Sequence, residues 1–464
     1  MSYRRIRAKH FMNSNFKEFS LADNVRSIPT LKDGLKPSQR KVIYGLGTRG
    51  ESAKEIKVAT LAEHVSGKTD YHHGGGSLVG AIVGLARSYP GTNNMNMLMP
   101  NGQFGSRLTK EAAAERYIYT EFSPHYRQIF RKDDDILLDE VKQFSDGDKI
   151  EPLNYFPLLP LALVNGSDGT GTGHRSFILQ YHPEHVRDAC LKVLTGKKLA
   201  MDTLIPWFKD FRGSVAKDEE TGQIEVRGIL EVVNTTTIII SELPVGFYLD
   251  EYKAFLYTLK DNGFIKDFDD DSKEAEFKFT VTCPRSTTAM EHEELMRKFK
   301  LIARDTEIFT LWNENDTIER FDTPEDIVTR FVEWRLKWYE VRRVRLIEQT
   351  TEEVRLLNEK LRFILFYLSH VDEFKNKKKD ELIKLLLDND FTDYDELLRM
   401  QIWKLTHDEI EKLKKEIGDR AKFLDDLQDD TAQKMYEREL KQFKYDPSLG
   451  NVENPVQPPP RKRK

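Results

Sequence analysis

An apolar repeat in the last third of the chain constrains the fold more than any other feature of the sequence. After Pro324, large apolar residues recur at alternating intervals of four and three, the spacing of one face of an α-helix: Ile327, Phe331, Trp334, Trp338 and Val341. The pattern resumes between Val354 and Leu368. Pro324-Glu325-Asp326 favours a helix start, because proline fits the first turn and acids face the positive end of the helix dipole. The sequence therefore predicts one amphipathic helix of about 45 residues, about 70 Å long.

A second long helix is predicted closer to the C-terminus. Residues 406–443 place five apolar side chains on one face: Ile410, Leu413, Ile417, Leu424 and Leu427. Shorter helical patterns occupy residues 379–389 and 393–404. Two long helices separated by a compact helical region favour an antiparallel coiled-coil arm with a tip. A generic helical hairpin has the same pattern, so periodicity alone assigns no function to this region.

The middle of the chain changes to β-type alternation between about residues 205 and 285. Residues 235–240 and 277–281 are rich in β-branched or aromatic side chains, which are typical of strands. Gly213, Gly222 and Gly228 mark turns in this stretch. The pattern predicts a mixed α/β domain.

Length and composition describe a soluble globular protein with room for three domains. The chain has 464 residues, of which 39% are hydrophobic and 32% charged. No apolar run approaches the ~20 residues that cross a bilayer, and the N-terminus lacks the apolar core of a signal peptide, so a cytoplasmic location is expected. Cys190 and Cys283 lie far apart without metal-ligand spacing, which favours reduced packing residues.

Charge is distributed unevenly along the chain. The formal net charge is −5, yet residues 1–130 hold 19 Lys and Arg against 10 Asp and Glu, and the remainder holds 53 against 67. The first part therefore carries +9 and the rest −14. Because DNA affinity depends on local cationic density, the first 130 residues are the expected DNA-facing region.

Arg116-Tyr117 is the dipeptide that points most directly to chemistry. A tyrosine preceded by an arginine, downstream of a glycine-marked turn and a histidine pair, is what a DNA breakage centre that forms a phosphotyrosine needs. The phenol is the nucleophile and the guanidinium binds the phosphate under attack. Alone the dipeptide means little, since the chain has 17 tyrosines.

The neighbouring motifs give the dipeptide its weight. They follow one another in this order: Arg26-Ser27-Ile28-Pro29, Asp33-Gly34-Leu35-Lys36-Pro37-Ser38-Gln39-Arg40-Lys41, Lys57-Val58-Ala59, Tyr71-His72-His73-Gly74, Pro100-Asn101-Gly102-Gln103-Phe104-Gly105-Ser106-Arg107, Arg116-Tyr117, Pro157-Leu158-Leu159-Pro160, Leu163-Val164-Asn165-Gly166 and Gly169-Thr170-Gly171-Thr172-Gly173. The succession resembles the breakage–reunion core of type IIA DNA topoisomerases, in its gyrase A, eukaryotic and phage medium-subunit forms. The resemblance extends from about residue 11 to 445.

This resemblance implies an α+β multidomain fold. Residues 1–25 would be a lead-in, 26–175 a winged-helix breakage–reunion domain with the catalytic tyrosine, and 176–323 an α/β tower domain that supports bent DNA. Residues 324–445 would form a long antiparallel coiled-coil arm whose helical tip is the C-gate, where two protomers meet. Residues 446–464 would be a disordered proline-rich and basic tail. A nuclear localisation signal and a weak DNA contact are both open for this tail.

The resemblance also implies roles for individual residues. Tyr117 would become linked to the 5′ end of the cut strand, with Arg116 on the non-bridging oxygens. A phenol ordinarily ionises only near pH 10, so the nucleophile needs help. His73 would donate to the phosphate or aid proton transfer, with His72 as neighbour or alternate, and Arg26 and Lys36 match family positions near the scissile phosphate or the active tyrosine.

A further set of residues is expected to contact DNA: Arg40, Lys41, Lys57, Gln103, Ser106 and Leu159. Arg40, Lys41 and Lys57 would position the duplex through its phosphates. By the resemblance, Leu159 falls on the aliphatic wedge that enters a base step and bends DNA. The alternative for Leu159 is a core leucine between two prolines. The glycine run 169–173 lacks the Lys-Ser/Thr ending of a nucleotide-binding P-loop, and backbone turns explain it.

Cofactors and partners follow from what the motifs leave out. Cleavage of this type uses Mg²⁺ held by a glutamate and an Asp-x-Asp pair. Residues 133–135 and 269–271 have the Asp-x-Asp spacing, but solvated acidic loops are the expected interpretation of both. Mg²⁺ and ATP are therefore expected on a separate Toprim/ATPase subunit, gyrase B-like or of the phage large-subunit type. The chain would act on double-stranded DNA as a C2 homodimer without a DNA-wrapping domain, and relaxation and decatenation would result. A non-cleaving DNA-binding structural protein on the same fold is the alternative.

Overall fold

The computed structural model describes residues 7–50, 54–71, 74–273, 276–375, 377–401 and 406–451. The predicted tail at 446–464 lies largely outside these residues. The described residues divide into two compact units, one comprising everything up to Arg335 together with the stretch from Glu439 onward, and the other Leu336–Arg438.

Helices dominate the first 130 residues of the first unit. They are α1 (Ala8–Phe11), a π-helical turn (Met12–Phe16), α2 (Lys17–Ser27), α3 (Pro37–Gly47), α4 (Val58–Lys68), α5 (Gly75–Ala86) and α6 (Pro124–Ile129). Two short antiparallel strands, β1 (Ile56–Lys57) and β2 (Tyr119–Thr120), tie the start of α4 to the later chain. Helices α3, α4 and α5 pack on one another around fully buried Val42, Leu61 and Ile82. A Cβ on Gly45 would lie 2.6 Å from a Val65 methyl group, so only glycine allows α3 to approach α4 this closely.

The next stretch is made of hairpins. A 3₁₀ helix (Lys132–Asp139) precedes the hairpin of β3 (Gln143–Ser145) and β4 (Asp148–Ile150). A short helix, α7 (Leu161–Val164), leads into the hairpin of β5 (Ser167–Gly171) and β6 (His174–Ile178). The glycine run at 169–173 thus forms a β-hairpin, in agreement with its interpretation as backbone turns.

The middle of the chain is mixed α/β, as the alternation predicts. Its strands are β7 (Ser214–Lys217), β8 (Ile224–Arg227), β9 (Ile229–Asn234), β10 (Thr237–Glu242), β11 (Asp267–Asp270), β12 (Phe279–Thr282), β13 (Ile302–Asp305), β14 (Phe309–Trp312) and β15 (Ile318–Phe321). Its helices are α8 (Pro183–Leu194), α9 (Leu249–Asp261), α10 (Arg285–Thr288) and α11 (His292–Lys298). One antiparallel sheet has the order β11-β12-β10-β9, another β13-β8-β7, and β14 pairs with β15.

The two strands expected from sequence, at 235–240 and 277–281, appear as β10 and β12. They pair with Ile238 opposite Val281, and their buried faces share a core with α9 and α11. The predicted strands are therefore confirmed, with boundaries shifted by about two residues. Cys190 and Cys283 are free and buried, which confirms their prediction as packing residues.

The long helix starting at Pro324 is also confirmed. Helix α12 (Pro324–Ser369) has 46 residues. It is followed by α13 (Val371–Phe374), α14 (Lys379–Leu387), α15 (Tyr394–Leu397), α16 (His407–Asp429) and α17 (Ala432–Gln442), with a final 3₁₀ turn at Pro447–Gly450. The second long helix predicted over 406–443 is wrong as a single element, because the backbone of Asp430 is extended and separates α16 from α17.

Within the second unit, α12 and the α16–α17 pair run antiparallel. Partners on the later helices come earlier in the chain as α12 advances: Tyr339 stacks on Tyr436, Glu353 pairs with Arg420, and Ile364 shares a core cluster with Ile410. The shorter helices α14 and α15 build a separate apolar cluster around Phe363 and Leu386. This is the helical hairpin with a compact end that the sequence predicts.

Candidate active site

Tyr117 stands on a surface loop that is fixed at its base. Its side chain is 67% exposed, and the Arg116 guanidinium carbon lies 5.0 Å from the centre of its ring. The next residue, Ile118, is buried, and its carbonyl accepts a 3.0 Å hydrogen bond from the Val58 amide at the start of α4. The Ala59 amide likewise donates to the Glu115 carbonyl at 3.2 Å. A phenol and a guanidinium are therefore presented to solvent on an anchored backbone.

Lys57 adds a second cation beside this loop. Strand pairing sets Lys57 opposite Tyr119, and the Lys57 Nζ lies 5.8 Å from the centre of the Tyr119 ring. Tyr119 also exchanges backbone hydrogen bonds with Asn101, at 2.9 and 3.1 Å. The half-exposed Lys57 therefore places a second cation close to the Tyr117 loop.

The glycine-rich segment before Tyr117 packs against Ile118, the next residue in the chain. Gly102 adopts φ +118°, and a Cβ there would lie 3.0 Å from an Ile118 methyl group. Gln103 is exposed, and its side-chain oxygen accepts the Gly105 amide. The Ser106 hydroxyl accepts from two backbone amides farther along the turn. In this structure Gln103 and Ser106 shape the loop, and Gln103 is also exposed to solvent.

Arg107 is a residue of the same segment for which sequence reasoning assigned no role. Its side chain is only 4% exposed and pairs with Glu242 of β10, with 2.5 Å between Nη1 and Oε1. Its Nη2 donates to the Leu243 and Pro244 carbonyls at 2.6 and 3.0 Å. No signal in the sequence separates this buried arginine from its exposed neighbours, because its partner lies 135 residues away.

Lys36 and Arg26 lie around the β5–β6 hairpin. The Lys36 Nζ donates to the Asp168 carbonyl at 2.8 Å, and burial lowers the pKa of Lys36 while the Asp168 charge partly offsets that effect. Arg26 is exposed in the last turn of α2. A Cβ on Gly169 would meet the Ser27 carbonyl at 2.0 Å, so α2 and the hairpin are in tight contact. Lys36 and Ser27, the residue after Arg26, thus both lie against the hairpin, whereas Arg116, Tyr117 and Lys57 share the loop site.

Two residues expected to contact DNA are instead part of the protein interior. Arg40 is 7% exposed and its Nε lies 2.6 Å from Asp33 Oδ2, so its charge is already paired. Leu159 is fully buried and cannot reach a base step from this position. The assignments of Arg40 as a phosphate contact and of Leu159 as the wedge are therefore corrected. The core-leucine alternative for Leu159 is the one that its burial matches.

Lys41 is also committed to protein contacts. Its Nζ pairs with Glu151 at 2.8 Å and donates to the Thr69 carbonyl. Its side chain retains 16% exposure. A phosphate contact by Lys41 therefore requires the lysine to exchange an existing ion pair.

The two acidic runs are largely solvated, as expected, since their outer carboxylates are exposed, but they lie mostly in regular elements rather than in loops. Residues 133–135 belong to the 3₁₀ helix, where Asp134 is buried 2.5 Å from an Arg335 nitrogen. Residues 269–271 begin in edge strand β11, where Asp270 pairs with Lys253 at 3.0 Å. Across the described residues, no group of three or more His, Cys, Asp and Glu side chains is arranged to hold a metal ion.

The predicted catalytic pair His72 and His73 lies outside the described residues. The structure resumes at Gly74, which is the N-cap of α5. Among the helices that are described, none is long and apolar enough to cross a membrane.

Comparisons with known proteins agree on one family. Residues 26–442 match the family model of the DNA gyrase/topoisomerase IV A subunit. A DNA topoisomerase 2 from Arabidopsis thaliana is 38% identical over 401 residues, which cover 84% of this chain and 27% of that protein. The DNA topoisomerase 2 of Acanthamoeba polyphaga mimivirus is 31% identical over 521 residues, covering 95% of this chain and 41% of the relative.

A solved structure extends the likeness to three dimensions. The crystal structure of the Plasmodium falciparum topoisomerase II DNA-binding, cleavage and re-ligation domain matches with a TM-score of 0.87 and 33% identity, over 93% of this chain and 63% of that chain. The chain spans between 27% and 41% of the length of the two curated relatives above. From the match over residues 26–442 and from these relatives, the chain belongs to the family of the DNA gyrase/topoisomerase IV A subunit.

Proposed function

We propose that the chain carries out the DNA breakage and reunion steps of a type IIA DNA topoisomerase. The observation that carries this proposal is the exposed Tyr117 beside Arg116, on a loop whose backbone is anchored to α4. The family membership and the likeness to a topoisomerase II cleavage domain support it.

In the proposed reaction, Tyr117 Oη attacks a backbone phosphate. The bond from phosphorus to the 3′ oxygen breaks, so the enzyme becomes linked to the 5′ end and a 3′ hydroxyl is released. The proton lost by the phenol is balanced by the proton that the 3′ oxygen gains. Because one phosphoester replaces another, attack by the 3′ hydroxyl reseals the strand without an external energy source.

The exposed cations of the loop fit the demands of this step. Arg116 can hold the non-bridging oxygens and stabilise the negative charge that develops in the transition state. Lys57 can position the same strand through a neighbouring phosphate. His72 and His73 remain the candidates for phosphate binding and proton transfer.

Two copies of the chain are proposed to act together. Cutting both strands of a duplex requires one Tyr117 per strand, and a C2 dimer supplies two equivalent nucleophiles. In this proposal, residues 26–175 hold the cleavage centre, residues 176–323 support the bent duplex as the tower, and the helices from Pro324 to residue 445 form the arm with the C-gate.

Mg²⁺ and ATP are proposed to bind a Toprim/ATPase subunit. The carboxylates with Asp-x-Asp spacing are Asp133 with Asp135 and Asp269 with Asp271, and of these Asp135 pairs with Arg127 and Asp271 with Lys278. Among the residues that the structure describes, no group of three or more His, Cys, Asp and Glu side chains is arranged to hold a metal ion. No step of the proposed reaction is therefore assigned to a metal bound by the described residues.

The β5–β6 hairpin, rather than Leu159, is proposed to contact the bent duplex. Thr170 and Arg175 lie opposite each other in this hairpin and both are exposed. Lys36 lies against the same hairpin and places a cation next to it. An inserted side chain has to reach the base stack from the surface, and Thr170 meets that requirement where Leu159 does not.

A cleavage assay with two tyrosine variants tests the proposed function. Wild type, Tyr117→Phe and Tyr119→Phe are each incubated with supercoiled plasmid, Mg²⁺ and candidate Toprim/ATPase subunits, then quenched with detergent and treated with protease. Tyr119→Phe is the matched control, since it removes a second partly exposed hydroxyl only two residues away. We expect linear DNA with protein at its 5′ ends from wild type and Tyr119→Phe, and none from Tyr117→Phe.

DNA binding by all three proteins without a covalent product from any of them would contradict the proposal. That outcome would favour a non-cleaving DNA-binding structural protein on the same fold. Cleavage that survives in Tyr117→Phe but not in Tyr119→Phe would assign the nucleophile to Tyr119 in strand β2.

A further inference from the structure

Arg107 connects the Tyr117 loop to the sheet of the α/β region through a buried ion pair. Its guanidinium contacts Glu242, and both side chains are at most 4% exposed. The guanidinium carbon also lies 4.6 Å from the centre of the Phe277 ring. Three hydrogen bonds and one ring face therefore fix the orientation of this side chain. The planar guanidinium group, with several N–H donors in fixed directions, fits this set of acceptors, whereas the ammonium group of a lysine cannot reproduce it.

The Glu242 carboxylate is equally constrained. Its Oε1 accepts the Leu243 amide at 2.9 Å in addition to Arg107, and its Oε2 accepts the Arg212 amide at 3.3 Å. Glu242 ends strand β10, in the interior of the four-stranded sheet. The carboxylate is thus a rigid anchor rather than a mobile surface charge.

The other end of the segment that carries Arg107 reaches the nucleophile. The Ala113 amide donates to the Gln103 carbonyl at 2.9 Å, and Gly102 packs on Ile118, which follows Tyr117. The Arg107 carbonyl accepts the Leu249 amide at 3.0 Å and adds a backbone link to the sheet side. An ion pair, the backbone of residues 102–107 and the packing of Gly102 on Ile118 therefore link Glu242 to the residue that follows Tyr117.

We propose that Arg107 is a positioning residue for DNA cleavage, and that its ion pair with Glu242 holds the Tyr117 loop at the place where the phenol meets the phosphate. The inference rests on the proposed function. Arg107 is buried, so it contacts no phosphate and acts only through the loop. A nucleophile displaced by about 1 Å can lose ~10²-fold in rate, and the energy of DNA binding need not change.

The test compares Arg107→Lys and Glu242→Gln with two matched controls. Lys110→Ala removes an exposed ion pair, with Glu251 at 3.0 Å, from the same loop. Ile240→Val removes a buried methyl group from the same strand as Glu242. For each protein, the measurements are the thermal midpoint, hydrogen exchange of the Ala113 and Tyr119 amides without DNA, DNA affinity, and the single-turnover rate of covalent complex formation at saturating DNA.

We expect Arg107→Lys and Glu242→Gln to speed exchange at both amides by about tenfold, because the loop opens locally more often. Their single-turnover rate should fall about tenfold or more, while DNA affinity stays within about twofold. Neither control should change the exchange or the rate, even if Ile240→Val lowers the thermal midpoint as much as the test variants do.

Unchanged exchange at Ala113 and Tyr119 in folded Arg107→Lys and Glu242→Gln would overturn the inference. A rate that falls equally in Ile240→Val would also overturn it, because the effect would then be general destabilisation. Failure of the proposed function has a different signature: wild type itself forms no covalent product that depends on Tyr117, and the exchange data still decide whether Arg107 holds the loop.

Discussion

Arginines in this chain have very different surroundings despite similar sequence neighbours. Arg116 is exposed beside Tyr117, whereas Arg40 and Arg107 are buried against Asp33 and Glu242. A buried arginine that loses its partner leaves an uncompensated charge, so these pairs are costly to break. An exposed cation instead remains free to exchange counterions for DNA phosphates. Burial therefore decides which arginine side chains are accessible for DNA binding.

This division predicts opposite consequences for two basic residues. Lys57→Ala should weaken DNA binding and reduce the slope of log affinity against log salt by about 0.9, the contribution of one phosphate contact.

Arg40→Ala should leave that slope unchanged and lower the free energy of unfolding by about 3–5 kcal/mol, because Asp33 would stay buried without its partner. Fluorescence anisotropy at several salt concentrations and urea unfolding measure the two quantities. A changed slope in Arg40→Ala would argue that Arg40 does leave Asp33 for DNA.

Glu307 introduces a pH dependence into the first unit. Its carboxylate accepts the Tyr181 hydroxyl at 2.7 Å and the Leu179 amide at 2.8 Å, and burial raises the pKa of Glu307 to about 7. An unfolded glutamate has a pKa of about 4.3. Between these values the folded state binds more protons than the unfolded state, so stability decreases as pH rises from about 4.3 to about 7.

Glu307→Gln should remove this dependence, because the amide keeps the shape but does not titrate. With an amide equivalent to the protonated carboxyl, the variant should be more stable than wild type by about 3–4 kcal/mol at pH 8 and by about 1 kcal/mol at pH 5. Urea unfolding at both pH values is the measurement, with Glu219→Gln on an exposed turn as the control. If wild type and Glu307→Gln show parallel pH profiles, Glu307 has the same pKa in the folded and the unfolded protein, which would contradict the prediction.

At the scale of elements, two residues, Asp430 and Thr431, separate α16 from α17. Asp430 has φ −83° and ψ 154°, and the Thr431 hydroxyl accepts the Lys434 amide at 3.2 Å. Asp430 also pairs with Arg438 at 2.7 Å, which ties the break to the next helix. The sequence carried this signal, since threonine after an aspartate is a common helix start, but the apolar repeat through 406–443 concealed it.

Thr431→Ala should therefore destabilise the second unit by about 1 kcal/mol, the usual cost of losing an N-cap. Hydrogen exchange at the Lys434 amide should become faster, because that amide loses its acceptor. Thr351→Ala, at an exposed position inside α12, is the control and should not be destabilising. An unchanged urea midpoint together with unchanged exchange at Lys434 would show that the Thr431 cap contributes nothing to the start of α17.

For the whole molecule, periodicity determined what the sequence could predict. The repeat after Pro324 predicts α12 almost to its last turn, because an apolar face recurs along its full length. The same reasoning locates strands β10 and β12. Long-range pairing carries no periodic signal, so the partner of Arg107 could not be predicted. Asp33, in contrast, lies only seven residues before Arg40, and a buried local pair could have been considered.

The candidate site could be predicted only in part, because local sequence motifs carry no information about long-range packing. The order of short motifs identifies Tyr117 and Arg116, which the structure places together at the surface. The motifs do not indicate which of their side chains are buried. The prediction of Leu159 as a DNA-contacting wedge is wrong for that reason. Exposure is a property of the assembled fold, and only the structure reveals it.

The measurement that tests the central claim most directly is identification of the residue joined to DNA. Covalent complexes formed by the full chain with Mg²⁺ and a Toprim/ATPase subunit are trapped with detergent, digested with nuclease and protease, and analysed by mass spectrometry. The account predicts a nucleotide adduct on the tyrosine oxygen of Tyr117, attached through a 5′ phosphate. An adduct on Tyr119, Tyr126 or any other residue would contradict it, as would DNA cleavage that leaves no adduct on this chain.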